Sequence, residues 1–160
     1  MTALLGVAPG LPTTALAAAN PEDTLTYMPY GLVHGLRTAS EVNGFLAELD
    51  SYGIGQALLQ MPAFRKTGTL KLPRSNAKTL AVWVAQAASY NAVHGADMTV
   101  TAVFNGHLER RGLDLDDPAT RANMVSAVES AVGMGVSGVQ LDLEPYPTTP
   151  GFLSLLEELD

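Results

Sequence analysis

The sequence predicts an α/β protein, the first four βα units of a (β/α)8 TIM-type barrel, and three observations lead there. Four apolar strand patterns alternate with four helical patterns, as parallel strands joined by helical crossovers require. The strands carry polar residues on one face only, whereas a sheet covered by helices on both sides reads apolar throughout. The chain has 160 residues, against about 250 for a whole barrel. With 47% hydrophobic and 16% charged residues, the composition is that of a folded domain and excludes a disordered acidic tail.

Taken in order, residues 25–30 read as a short strand, followed by a glycine-containing loop through Gly35. Thr38 and Glu41 have the spacing of a capping box, in which hydroxyl and carboxylate satisfy orphan amide donors. The helix they open places Val42, Phe45, Leu46 and Leu49 on one face, the 3.6-residue period, and Gly53 is placed to end it. Residues 54–61 form the second strand, closed by Pro62. A polar loop containing Arg65 and Lys66 leads to a helix over 75–94 that buries Leu80, Trp83, Val84 and Ala87, with Gly95 after it. Residues 98–104 form the third strand, with Asn105-Gly106 as its loop. Asp117-Pro118 supplies a cap and a first-turn proline for a helix with Val125, Val128 and Val132 inward, stopped by the glycines at 133–135. Residues 136–143 form the fourth strand. Thr149-Pro150 starts a helix with Phe152, Leu153, Leu156 and Leu159 apolar. The first strand–helix turn, 29–35, lacks G-x-G-x-x-G and there is no P-loop, which weighs against an open nucleotide-binding sheet.

Nine Lys plus Arg against sixteen Asp plus Glu give a net charge of −7, which argues against nucleic-acid or anionic-membrane partners. The one basic doublet, Arg110-Arg111, lies between Glu109 and Asp114 and reads as a solvated loop. The absence of cysteine removes disulfide scaffolds, thiolate metal sites and cysteine nucleophiles. Residues 1–20 read as a leader or remnant signal segment ahead of a half-barrel over 21–160. Positions 3–19 are small, apolar and uncharged and contain Ala15-Leu16-Ala17, an A-x-A cleavage pattern without the basic start of a full signal. Pro9 and Pro12 break any helix there, and the run is too short to span a bilayer. An extracellular or cell-envelope location is the expectation, a cytoplasmic one the alternative.

The chemistry concentrates at the end of the fourth strand. Gln140, Asp142 and Glu144 share one of its faces, because side chains alternate with period two. Barrel active sites lie at the C-terminal strand ends, and there Asp142 and Glu144 have Cα atoms about 6.6 Å apart. Two carboxylates so close and partly shielded from water do not ionise freely together, which makes one available as a general acid. Glycoside hydrolysis needs such an acid and a second carboxylate to stabilise positive charge. Glu144, outermost and followed by Pro145, is the candidate acid, and Asp142 its orienting and electrostatic partner. Gln140 lies one layer deeper, within reach of Asp142. Three inward polar residues in an apolar strand are costly to bury without a purpose. Gln60 and Asn105 end the polar faces of the second and third strands and, with Gln140, Tyr30 and Tyr146, are the expected substrate contacts.

Residues 137–144, Ser-Gly-Val-Gln-Leu-Asp-Leu-Glu, resemble the D-G-x-D-x-D-x-E signature on the fourth strand of family 18 glycoside hydrolases, the chitinase-like barrels. The resemblance implies that Glu144 is the acid/base and that Asp142 orients the substrate's N-acetyl group, whose carbonyl oxygen is the nucleophile. Tyr27 or Tyr30 then corresponds to the family's first-strand tyrosine. Ser137 and Gln140 replace the first two acidic positions, and Leu143 replaces the usual aromatic. The third strand ends Val103-Phe104-Asn105-Gly106 where the family has S-x-G-G. The resemblance therefore carries neither the middle aspartate's proton relay nor chitin as substrate.

Leu143-Glu144-Pro145 is also similar to the Asn-Glu-Pro strand end of retaining glycosidases, without the asparagine. Two other classes compete. A divalent-metal-dependent barrel hydrolase would draw on His34, His107, Asp142 and Glu144, although no metal-ligand spacing supports it and His107 reads as a loop residue. No cofactor or metal is expected. A catalytically degenerate, carbohydrate-binding barrel would use Tyr30, Phe64, Phe104 and Tyr146 to stack on sugar rings. The expected partners are an oligo- or polysaccharide and the missing C-terminal half-barrel.

Overall fold

The computed structural model describes residues 25–28, 38–70, 74–145 and 149–160. The leader-like segment, Tyr30, His34 and Tyr146 lie outside the described residues. Strands β1 (Leu25–Met28), β2 (Gln56–Gln60), β3 (Thr99–His107) and β4 (Gly138–Glu144) form one sheet in the order β1-β2-β3-β4, and every neighbouring pair is parallel. The helices are α1 (Ala39–Ser51), α2 (Arg74–His94), the single-turn α3 (Leu108–Arg111), α4 (Pro118–Val132) and α5 (Pro150–Leu159). No helix among the described residues is long and apolar enough to cross a membrane.

Strand order decides between the two architectures left open by the alternation. A doubly wound sheet reverses direction at a switch point and carries helices on both faces. In the order 1-2-3-4 each right-handed crossover steps the same way and leaves its helix on the same side. The packing agrees. Ala57, Leu59, Val100, Ala102, Phe104 and Leu143 enter one core with Val42, Leu46, Leu80, Trp83, Met124 and Leu155 of the helices. The opposite face presents Gln56, Leu58 and Gln60 of β2 beside Thr99, Thr101 and Val103 of β3 in register. This is the arrangement of a partial α/β barrel.

The caps form where expected. The Glu41 amide donates to Thr38 Oγ1 (3.2 Å) and the Thr38 amide to Glu41 Oε2 (2.8 Å), the reciprocal bonds of a capping box. Asp117 accepts from the amides of Ala119 and Thr120 and from the Thr120 hydroxyl (2.8 Å). The hydroxyl bond, then the Ala119 amide, holds its carboxyl below the ordinary aspartate range.

Four elements differ from expectation. β3 runs on through Asn105, Gly106 and His107, because Asn-Gly is held in the ladder by β4. A Cβ on Gly106 would sit 2.6 Å from Leu143 Cδ2 and 3.0 Å from Leu113 Cδ2, so glycine here serves close strand packing rather than a turn. Arg110 and Arg111 belong to α3 and not to a loop. α4 buries Thr120, Met124, Val128 and Ala131, leaving Val132 55% exposed. It is turned to receive the loop after β2, where Asn123 Nδ2 donates to the Thr67 carbonyl (2.8 Å). In α5 the buried residues are Gly151 and Leu155, while Leu153 and Leu156 are exposed.

Candidate active site

β3 and β4 stay paired to their ends, with Asn105 opposite Asp142 and His107 opposite Glu144. Residues so paired in a parallel ladder project to the same face, and with the period-two alternation all four stand on the polar side at the C-terminal end. β2 adds Gln60, opposite Val103. Together Gln60, Met61, Ala63, Asn105, His107, Asp142 and Glu144 line a cleft of about 370 Å³.

The floor of the cleft is fixed by the segment leaving β2. The Met61 amide donates to the Val103 carbonyl (2.7 Å) and the Phe64 amide to the Asn105 carbonyl (2.8 Å). Asn105 Nδ2 donates in turn to the Met61 carbonyl (3.3 Å), which orients its amide across the β2–β3 seam. Deeper on the same face, Gln56 Nε2 donates to Thr101 Oγ1 (2.9 Å), and Leu58, Thr101 and Val103 are buried. The face is closed at its base and opens towards the strand ends.

Glu144 Oε2 lies 3.5 Å from His107 Nδ1, with the two side chains 65% and 32% exposed. Asp142 is exposed as well. The partial shielding expected of the carboxylate pair is absent from the described chain, since β4 is the outermost strand of its sheet. The Glu144–Pro145 peptide bond is cis. Gln140 pairs with Val103 one step below and borders a groove on the free edge of β4 with Ser137, Gly138 and Leu141.

Of the residues singled out in the sequence, the structure brings Gln60, Asn105, Asp142 and Glu144 to one cleft and leaves Gln140 beneath it. Tyr27 lies in β1. Phe64 and Phe104 do not serve as sugar platforms. Both are fully buried, with ring centroids 5.6 Å apart, because the even positions of β3 face the helices. The sequence brings His107 to the barrel mouth only as a metal-ligand alternative and otherwise reads it as a loop residue; the structure places it in the cleft, where it continues the Thr99, Thr101, Val103, Asn105 alternation by one more step. Among the described residues no group of three or more His, Asp or Glu side chains is placed to hold a metal, so His107, Asp142 and Glu144 share a cleft without forming such a set.

A one-way-wound parallel sheet whose polar face ends in two carboxylates, an imidazole and two amides has the layout of an α/β-barrel mouth. The structure is similar to that of the Group IV chitinase of Ostrinia furnacalis in complex with allosamidin, with a TM-score of 0.57 and 15% identity over 85% of this chain. It is also similar to a second structure of that chitinase, with a TM-score of 0.53 and 15% identity over 85% of this chain. This chain spans 39% of the length of each. No family model matches the chain, and no curated protein matches it. At this identity the likeness is one of fold.

Proposed function

We propose that the chain is the β1–β4 portion of a glycoside hydrolase-like barrel, in which Glu144 is the acid/base and Asp142 its orienting and electrostatic partner. The observation that carries this reading is the projection of both carboxylates from one face of the C-terminal end of β4 into a cleft shared with Gln60 and Asn105. In the reaction, Glu144 gives its proton to the glycosidic oxygen as the C–O bond breaks and the bonding electrons leave with that oxygen. Asp142 stabilises the positive charge left on the sugar or its substituent, and Glu144 then takes a proton from the incoming water. The two amides supply donors and acceptors suited to sugar hydroxyls. The substrate class is an oligo- or polysaccharide. The remaining strands would lie against the free edge of β4 and complete the mouth, so the 160-residue chain by itself is expected to show no turnover. The A-x-A pattern of the leader-like segment supports an extracellular or cell-envelope site of action.

Glu144→Gln in the protein carrying every strand of the barrel tests the assignment. Hydrolysis of a fluorogenic oligosaccharide should fall by about 10²–10⁴-fold with binding retained; undiminished hydrolysis contradicts Glu144 as the acid. A carbohydrate-binding barrel without turnover is the second reading, favoured by the neutral Gln140 beneath the carboxylates and by the openness of Glu144. Glycan binding with no hydrolysis by the parent protein would establish it.

A further inference from the structure

We propose that His107 is the positioning residue of Glu144, a role that rests on the acid/base reading above but is carried by its own geometry. Glu144 is the last residue of β4, with its side chain 65% exposed. A glutamate so placed is free to sample several staggered rotamers, and an acid that wanders loses the alignment on which proton transfer depends. The end of β3 supplies a restraint. His107 is the last residue of that strand and stands directly opposite Glu144 in the register. It has two side-chain torsions, is only 32% exposed, and places Nδ1 3.5 Å from Glu144 Oε2.

The separation is set by the backbone. Gly106 lets β3 approach Leu143 of β4 and Leu113 more closely than any residue with a Cβ would, 2.6 and 3.0 Å for the built atom. The two strand ends are thereby locked side by side immediately before the His107–Glu144 pair. At 3.5 Å the pair is a polar contact rather than a formed hydrogen bond, and a small side-chain rotation closes it, as contacts in catalytic sites tighten when substrate binds. The neutral imidazole acts in its Nδ1–H tautomer, because the bond made by one ring nitrogen sets where the proton sits. On β4 itself, Gln140 lies two positions deeper than Glu144 on the same face.

The test reads the carboxylate side chain in the 160-residue chain labelled with ¹³C and ¹⁵N. Three-bond couplings should report one dominant χ1 rotamer for Glu144, and the His107 imidazole should be protonated on Nδ1 at alkaline pH. In His107→Ala the Glu144 couplings should average over the staggered wells. In His107→Asn, whose amide nitrogen falls near the place of Nδ1, the single rotamer should return, with the amide dispersion of β3 and β4 preserved. Averaged Glu144 couplings in the unmodified chain, a single rotamer in His107→Ala, or averaging in the asparagine variant equal to that in the alanine variant would each overturn the proposal. This readout does not depend on turnover. Its failure leaves the acid assignment standing, whereas undiminished hydrolysis by Glu144→Gln removes the acid assignment and leaves the pairing.

Discussion

β3 and β4 carry the same kind of alternation and have opposite surroundings. Val100 through Phe104 of β3 are buried without a break, on both faces of the sheet. In β4 only Leu143 is fully covered, and Asp142 and Glu144 are open. The difference lies in the neighbours. β3 runs between β2 and β4, while among the described residues β4 has a strand on one side only. On its free side, Val132 of α4 and Leu156 and Leu159 of α5 border a groove along Val139 and Leu141, with Val132, Leu153 and Leu156 exposed. A polar stripe is thus a property of the strand, whereas the dryness of the carboxylates on it depends on what lies against the edge. Electrostatic interactions strengthen as water is excluded, so the chemistry available to Asp142 and Glu144 is set by that edge.

The largest effect should separate the two strands by stability. Phe104→Ala empties a fully buried site in stacking contact with Phe64 and should cost about 3–5 kcal/mol in urea denaturation. Leu141→Ala on half-covered β4 should cost about 1 kcal/mol, since little area leaves contact. Equal losses would mean that β4 is packed as firmly as β3 and would break the comparison. Gly106→Ala probes the seam between them. Its methyl group meets the ends of Leu143 and Leu113, and overpacking there should cost about 1–3 kcal/mol; a neutral substitution would show that the strand ends are not in close contact.

The smallest effect lies away from both strands and sharpens the contrast by serving as a control. The Asp117 carboxyl is held below its ordinary range by Thr120 and the first-turn amides of α4. Its folded value lies under its unfolded one, so its contribution is fully present above the unfolded value and is lost as pH falls through the folded value. Asp117→Asn should therefore differ in stability from the parent chain at neutral pH and converge with it in acid, a trend read from denaturation curves at several pH values. A constant difference at every pH would contradict the cap's ionic character.

Much of this organisation can be read from the residues alone. The capping pair Thr38 and Glu41, the cap Asp117 with Pro118, and the period-two stripes ending in Gln60 and Glu144 depend on local chemistry and reach the structure intact. What failed depends on contacts remote in sequence. Asn105-Gly106 carries a turn signal, overridden by a ladder with residues 142 and 143 that no local pattern announces. Phe64 and Phe104 read as sugar platforms because their burial depends on which face the helices cover. The inward face of α4 was displaced by the loop at Thr67, and the His107–Glu144 pair required knowledge of the register between β3 and β4. The exposure of the carboxylates was invisible for the same reason, since the number of neighbours of a strand is not written within it.

The sugar site proposed at the joined ends of β3 and β4 is checked by titrating the labelled 160-residue chain with oligosaccharides, the ligand class proposed above, and following amide shifts. Changes should concentrate at Asn105, His107, Asp142 and Glu144. Shifts confined to the Val132–Leu156 groove, or none at the four cleft residues, would contradict it.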